Sequence, residues 1–473
     1  MAITQFLKER KGACKNLLDK LLEKYAYASI LGVDSKGFSI RTDRINTMIR
    51  DSDNEQGFVI KVYDGKGYLE YSCSDINDNN YLDVYNDVLA IKVDSNLKRV
   101  NAKMLEEEEL TKVFERVDNY PVSIDKITNA LKEMKDETLK YSDKIINAMV
   151  MFMSFTVSKM FLSKKKDLEQ SYPYHNCTLI SIARNGNNIK DSMEAFGDKD
   201  TLPLLEAAKA KVKDNAKLSI EMLDAQPITP GVYDVITDPT ISGLIAHEAF
   251  GHGVEMDMFV KNRAKAKDFI GKYVASPLVS MHDGASAVEN VASYFFDDDG
   301  VLAQDTLIIK DGILQTGISD ALSAMQLGTT PTGNGRRQEF THKAYTRMTN
   351  TFFSKGESKL EDMIKSIDYG FYLVNTNNGM EDPKNWQIQC VCEYAREIKN
   401  GKFTGKLFTP VVMSGYVLDL LKSISMVSDG FEVLGSGHCG KGHKEWVRVS
   451  DGGPHLKCRV KLGWLIFLIL KKH

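Results

Sequence analysis

The chain has 473 residues, of which 43% are hydrophobic and 26% are charged, and its formal net charge is −3. At about 100 to 200 residues per domain, this length predicts a globular protein of two or three domains. The nearly neutral balance provides no general attraction to phosphate, which argues against nucleic acid as a partner.

Membrane insertion and export are also disfavoured. The apolar run nearest to a membrane span, WLIFLIL at 464–470, is far shorter than the roughly 20 residues that a span needs. The first 25 residues carry scattered charges instead of the apolar run of a signal peptide. Seven widely spaced cysteines do not resemble a disulfide framework. We therefore expect a soluble cytoplasmic protein with no membrane partner.

The first half of the chain mixes helical and strand-like patterns. An apolar stripe that includes Leu17, Leu18 and Leu21 predicts an opening helix over 4–30. Short β-like runs predict two series of strands, over 28–74 and 145–190. Further helices are predicted at 80–92, 100–115, 123–136 and 200–215. Together these elements predict an N-terminal mixed α/β domain over 1–223.

The segment DAQPITPGV at 224–232 interrupts the chain with two prolines and a glycine, which is typical of a domain junction. Strand-like segments dominate beyond it: VYDVIT, VASYFF at 291–296, TLIIKDGIL, FYLVNT, WQIQCVCEYAREIKNGKF and GKLFTPVV. The predicted fold class is therefore α+β with two domains, the second being a β-rich domain over 224–473.

The stretch AHEAFGHGVEMD at 246–257 carries the most specific chemistry. His247 and His252 are five residues apart, whereas the zinc-peptidase pattern H-E-x-x-H separates its histidines by four. On a regular helix a spacing of five turns the second side chain away by roughly 140°. A π-type bulge or an early helix end would restore a common direction. Asp238 as N-cap and Pro239 predict that this helix starts directly after a strand.

Two histidines and one further ligand would make a catalytic zinc site with an open position for water. Glu248 follows a candidate ligand directly and is placed to take a proton from the zinc-bound water. The candidates for the third ligand are Cys439, His438, His443, Glu255 and Asp257.

The motif and several later stretches resemble the TldD side of the TldD/PmbA family, also called the putative modulator of DNA gyrase family. The stretches are HEAFGHGVEMD, TGNGRR, RMTNTFFSKG, NNGMEDP, KNGKFTG and GHCGKGHKEWVRVSDGGPHLKCRV. The resemblance implies a zinc metallopeptidase that acts on unstructured peptides or small labile proteins. It implies His247, His252 and Cys439 as metal ligands and Glu248 as the catalytic base. It also implies a homologous partner subunit or a homodimer. The run WLIFLILKKH after Gly463 departs from the family pattern.

Two questions stay open at this level. A non-catalytic, zinc-stabilised partner-binding scaffold is the alternative to a peptidase, and it would close all four metal positions with protein ligands. Arg336, Arg337 and Arg347 could each hold a substrate carboxylate or carbonyl, or could be ordinary surface or interface arginines.

Overall fold

The computed structural model describes residues 3–52, 54–92, 102–442 and 444–463. His443 and the apolar run 464–470, both singled out above, lie outside the described residues. Within the described part of the chain, none of the helices combines the length and the apolar composition needed to cross a membrane.

The first half is a sheet of eight strands covered by helices on one face. The strands run in the order β4-β3-β1-β6-β7-β5, with β2 paired to β1 and β8 paired to β7. They are β1 (Tyr27–Thr42), β2 (Thr47–Asp51), β3 (Glu55–Tyr63), β4 (Tyr68–Cys73), β5 (Leu110–Glu115), β6 (Ile145–Ser163), β7 (Lys166–Asn185) and β8 (Asn188–Asp198). The helices are α1 (Gln5–Leu22), α2 (Tyr81–Leu89), α3 (Ile124–Lys140) and α4 (Thr201–Glu221).

Because side chains alternate between the two faces of a strand, this sheet packs against the helices on one face and against the second half of the chain on the other. Ile30 and Ile40 of β1 face the helices and are fully buried with them. Leu31 and Val33 point to the other face, where they pack with Phe296 of the second half. The second half of the chain therefore lies on the face that the helices leave open.

The second half contains three further sheets and completes an α+β fold. Its strands are β9 (Gly231–Thr237), β10 (Met281–Asp283), β11 (Thr306–Lys310), β12 (Ile313–Leu314), β13 (Gly335–Arg336), β14 (Tyr345–Thr346), β15 (Asn350–Phe353), β16 (Tyr369–Asp382), β17 (Gln387–Lys399), β18 (Lys402–Phe408), β19 (Val411–Tyr416), β20 (Met426–Val427), β21 (Glu432–Cys439), β22 (Val447–Gly453) and β23 (Leu456–Gly463). Its helices are α5 (Pro239–Leu244), α6 (Met256–Val260), α7 (Ala321–Leu327), α8 (Leu360–Lys365) and α9 (Val417–Lys422).

Two of these sheets frame the candidate site. One runs β12-β11-β10-β15-β22-β21, so β21 forms an edge. The other runs β16-β9-β23-β19-β17-β18, with β20 on β23, and β16 also pairs with β17. This extra pairing closes β16, β9, β23, β19 and β17 into a small barrel. The third sheet is the short pair β13 and β14.

Three predicted elements differ from the structure. The opening helix ends at Leu22, and β1 begins at Tyr27, well before residue 30. The helix predicted over 100–115 is wrong for residues 102–115, because Leu110–Glu115 forms a strand that pairs in parallel with β7. Residues 100 and 101 lie outside the described residues. The strand predicted at 291–296 is wrong as well. That run is irregular apart from a turn at its start and a single bridge from Phe296 to Leu302. Its aromatic side chains pack against the first half instead of in a sheet.

The predicted junction at 224–232 falls between the last helical turn, Met222–Asp224, and the start of β9. Each sheet formed by the described residues lies wholly on one side of it. Buried ion pairs nevertheless join the halves, among them Lys61 with Asp299 and Lys159 with Asp298, each at 2.5 Å. A division into 1–223 and 224–473 stays a prediction.

Candidate metal centre

A distorted helix carries the two histidines. The Asp238 side chain accepts a hydrogen bond from the Ile241 N–H at 2.8 Å, and Pro239 occupies the first turn, so the predicted helix start is confirmed. The helix then continues as a π-helical segment, Ile245–Gly251, followed by a 3₁₀ turn that begins at His252. The expected bulge is present, and it absorbs the extra residue between the histidines.

The structure brings together His247, His252 and Cys439. Their potential ligand atoms all lie within 4.8 Å of one another. His252 Nε2 is 3.3 Å from Cys439 Sγ, and the two imidazole rings are perpendicular with centroids 5.2 Å apart. His247 and Cys439 are 3% and 5% exposed, so bulk water competes little for these atoms.

This donor set suits zinc. Imidazole nitrogen and thiolate sulfur are its preferred ligands, at about 2.0–2.1 Å and 2.3 Å respectively. Atoms within 4.8 Å of one another reach a single ion with small side-chain adjustments. No fourth His, Cys, Asp or Glu joins this group among the described residues. Three protein ligands with one open position are typical of a catalytic zinc.

Electrostatics favour a thiolate at Cys439. Burial alone would raise the pKa of this thiol, but the neighbouring His252 and His247 outweigh burial and hold the pKa well below its usual range. Burial would likewise lower the pKa of His247, yet attraction to Cys439, and then to Glu248, raises it to about 9. Both pKa shifts have the same cause, the attraction between the Cys439 thiolate and the two protonated imidazoles. A bound metal cation would take the place of the imidazole protons.

Glu248 lies beside the group without belonging to it. Its carboxylate oxygens are 3.9 Å from His247 Nε2 and 3.8 Å from His252 Nε2. Gly379 of β16 packs against this side chain so closely that an added Cβ would lie 2.6 Å from Glu248 Cγ. The carboxylate is therefore held at the edge of the ligand cluster.

A buried polar network contacts the candidate ligands Cys439 and His252, and sequence reasoning missed it. The Arg347 guanidinium donates to Cys439 Sγ at 3.0 Å and to the Cys439 carbonyl oxygen at 2.8 Å. Glu255, which is 1% exposed, lies 3.4 Å from His252 Nδ1, 3.4 Å from Arg347 Nε and 2.9 Å from Lys441 Nζ. Burial would raise the pKa of Glu255, but Lys441 and His252 keep it well below its usual range.

The other third-ligand candidates lie elsewhere. Glu255 contacts the Nδ1 side of His252, whereas Cys439 contacts Nε2. Asp257 pairs with Lys441 at 2.8 Å. His438 Nε2 accepts a hydrogen bond from Arg448 at 2.9 Å, and as the strand neighbour of Cys439 it points to the opposite face of β21.

The cluster of His247, His252 and Cys439 borders, through His247, a cavity of about 750 Å³ between the two halves of the chain. One wall comes from β8 and α4, and the opposite wall from α5, β16 and β21. His247 and Glu248 both line it. A larger cavity of about 810 Å³ at one end of the barrel is lined by none of the cluster residues. The 750 Å³ cavity is within the usual size range of ligand sites and is the one that reaches the candidate chemistry.

Comparison with known sequences gives a consistent result. Residues 230–461 match the PmbA/TldA metallopeptidase C-terminal domain. A metalloprotease TldD homolog from Buchnera aphidicola is 34% identical over 52% of this chain, but the match spans only 50% of that relative. A metalloprotease from Synechocystis is 31% identical over 67% of this chain and 68% of its own length. A zinc metalloprotease TldD homolog from Saccharolobus solfataricus is 26% identical over 70% of this chain and 72% of its own length.

Solved structures share the whole fold at low identity. A candidate modulator of a DNA gyrase from Thermotoga maritima superposes with a TM-score of 0.78, with 19% identity over 96% of this chain and 100% of that one. TldE from Thermococcus kodakarensis superposes with a TM-score of 0.72, with 16% identity over the same shares of the two chains. At these identities the likeness concerns the fold.

Proposed function

The chain belongs to the PmbA/TldD metallopeptidase family, and from this premise we propose that it is a zinc-dependent metallopeptidase that hydrolyses peptide bonds in unstructured peptides or small labile proteins. The observation that carries the proposal is one arrangement: two imidazoles and a thiol within 4.8 Å, beside a carboxylate outside the group, at the wall of a 750 Å³ cavity.

In this proposal His247, His252 and Cys439 hold the metal. Zinc supplies Lewis acidity, which activates water and polarises a peptide carbonyl. Glu248 accepts a proton from the attacking water at a carboxylate oxygen and delivers it to the amine nitrogen as the C–N bond breaks. Arg347 and Glu255 act through the ligands, because they hold the Cys439 sulfur and the His252 ring in place.

The surroundings support an extended peptide as the substrate. The cavity lies between two packed halves and is bordered by the edge strand β21. A strand edge that lacks a partner strand can pair with the main chain of a peptide, and such pairing depends little on the peptide's sequence. The likeness to TldE supports a homologous partner subunit, with a homodimer as the other arrangement. We expect the protein to act in the cytoplasm, because its seven widely spaced cysteines do not resemble a disulfide framework.

The scaffold alternative has less support. A structural zinc usually has four protein ligands, whereas three come together among the residues that the structure describes. A scaffold also gives no reason for a carboxylate beside the ligands, where Glu248 stands.

The test compares the native chain with Glu248→Gln for zinc content and for cleavage of an unstructured peptide mixture, with and without the homologous partner. We expect about one zinc per chain in both proteins and a loss of cleavage of at least about 100-fold in the variant. Glu206→Gln, which makes the same change at an exposed position on α4, is the matched control and should cleave normally. Zinc in both proteins without cleavage in either would favour the scaffold, and a native protein without zinc would refute the metal site.

A further inference from the structure

A second cavity, of about 190 Å³, lies behind the strand that carries Cys439. His438 and Cys439 are consecutive residues of β21, so their side chains point to opposite faces. His438 lines both this cavity and the one that reaches the metal cluster. We call the second cavity the arginine pocket; its walls include Arg336, Arg448, His438, Tyr174, Tyr294 and Trp446.

Arg448 is buried in this pocket without a counter-ion. It is 8% exposed, and its guanidinium donates to Asn176 Oδ1 at 2.5 Å and to His438 Nε2 at 2.9 Å, while its Nε has no partner. It also lies over the Tyr174 ring at 4.8 Å. No carboxylate among the described residues comes within 4.0 Å of it. Burial lowers the pKa of Arg448, which is the effect expected of a buried cation that lacks a compensating anion.

Arg336 is the second cation of the pocket without a carboxylate. One Nη1 hydrogen bond goes to the Met348 carbonyl oxygen at 2.6 Å, and the guanidinium carbon is 5.6 Å from the centre of the Tyr294 ring. The side chain is half-buried, and within the described part of the chain no ion pair engages it. Arg336 lines the pocket, and among the described residues its guanidinium donates only the one hydrogen bond to Met348.

The other charged side chains of the pocket already have ion-pair or hydrogen-bond partners within the chain. Lys159 pairs with Asp298 at 2.5 Å, and Arg337 pairs with Glu70 at 2.7 Å. The Asp297 carboxylate accepts the N–H groups of Asp299, Val301 and Gly335. Glu55 accepts the Phe340 N–H at 2.7 Å. Glu55 and Asp297, like the two arginines, have no ion-pair partner among the described residues, but burial raises the pKa of both carboxyls and favours their neutral forms. Arg336 and Arg448 are therefore the unpaired charges that the pocket offers to a ligand.

We propose that the arginine pocket binds a carboxylate of the peptide substrate beside the metal centre, an inference that rests on the proposed peptidase function. Arginine presents paired N–H donors that match the two oxygens of a carboxylate. The volume corresponds to about six waters, which is enough for a carboxylate with a short side chain or chain end. The carboxylate can come from the carboxy terminus of the peptide or from an Asp or Glu side chain.

Binding is measured separately from cleavage, with the Glu248→Gln protein and a short unstructured peptide that carries an uncharged fluorescent label. The peptide is made as the free acid, as the C-terminal amide, and with one internal Glu or Gln in each form. We expect carboxylate-bearing peptides to bind about tenfold more tightly than the neutral peptide at low salt. A preference that follows the chain end identifies the terminal carboxylate, and one that follows Glu identifies a side chain.

The variant arm adds Arg336→Gln, with Arg459→Gln as the matched control at an exposed position on β23. Arg336→Gln should abolish the preference and leave binding of the neutral peptide unchanged, whereas the control should keep the preference. Equal binding of all peptides by the parent protein, or an unchanged preference after Arg336→Gln, would overturn the proposal. The peptide series alone decides whether the parent protein prefers carboxylates, even if Arg336→Gln does not fold. A carboxylate preference in the Glu248→Gln protein, combined with a native protein that binds zinc and fails to cleave, would refute the peptidase proposal and leave the pocket in place.

Discussion

Glu255→Gln tests whether the buried network orients the metal ligands. The substitution keeps the size of the side chain and removes its charge. Arg347, which is 0% exposed, would lose its carboxylate partner, whereas Lys441 would keep Asp257 at 2.8 Å. Breaking a buried ion pair from one side costs about 3–5 kcal/mol. Because Lys441 retains a partner and glutamine still offers an oxygen, we expect a value near the lower end, about 3 kcal/mol.

The same change should weaken metal binding. Glu255 contacts Nδ1 of His252 at 3.4 Å and fixes the ring so that Nε2 faces Cys439. Loss of a carboxylate that orients a histidine ligand typically costs about 10–100-fold in metal affinity. We therefore expect zinc affinity to fall by this factor. At about 2.1 cal/mol/K of unfolding entropy per residue, a loss of about 3 kcal/mol should lower the unfolding temperature of the metal-free protein by about 3 °C.

Two measurements separate these effects. Thermal unfolding in the presence of a chelator reports the stability of the metal-free chain, and competition with a chromophoric chelator reports zinc affinity. Asp257→Asn is the matched control, because Asp257 contacts Lys441 but has no contact with His252. The control should keep its zinc affinity within about twofold. If Glu255→Gln binds zinc as tightly as the native chain, or if both variants weaken it equally, Glu255 does not orient His252.

Two further predictions concern Gly379, which packs against Glu248, and Glu393, whose carboxyl is buried. Gly379→Ala should retain zinc but lower peptide cleavage by about 10–100-fold, because the new Cβ would lie 2.6 Å from Glu248 Cγ and displace the carboxylate. Gly415→Ala is the control and should cleave normally, because no atom lies within 4 Å of its added Cβ. Equal activity of the two variants would contradict this reasoning. Burial raises the pKa of Glu393 from 4.5 to about 7, so the folded chain holds this proton more tightly than the unfolded chain, and stability falls as pH rises from about 4.5 to about 7. Urea unfolding at pH 5 and pH 8 should show that the stability advantage of the native chain over Glu393→Gln shrinks at the higher pH by up to about 3 kcal/mol. If the free energies of unfolding of the two proteins change equally with pH, the raised pKa of Glu393 is refuted.

Local patterns predicted the parts of the site that lie close together in sequence. The N-cap at Asp238, the helix start at Pro239 and the need for a bulge between His247 and His252 all follow from a stretch of about four turns. Each depends on backbone rules that act within a few residues, so no tertiary information was needed.

The supporting network could not be predicted in the same way. Arg347 and Cys439 are 92 residues apart in sequence, and Lys441 and Glu255 are 186 apart. Nothing in the composition around Arg347 distinguishes it from Arg336, yet one is buried against the ligands and the other faces the arginine pocket. The error over 100–115 has a similar origin, since the strand at Leu110–Glu115 depends on pairing with β7.

The choice between Cys439 and His438 shows how far the sequence can go. Both are plausible ligands in GSGHCGKG, and adjacent strand residues point to opposite faces. Leu434 pairs with Asp451 and Gly437 pairs with Val449, so β21 holds one residue more than β22 between these pairs. Without that bulge, the position opposite Val447 would be occupied by His438 instead of Cys439. The single extra residue thus decides which side chain joins His247 and His252.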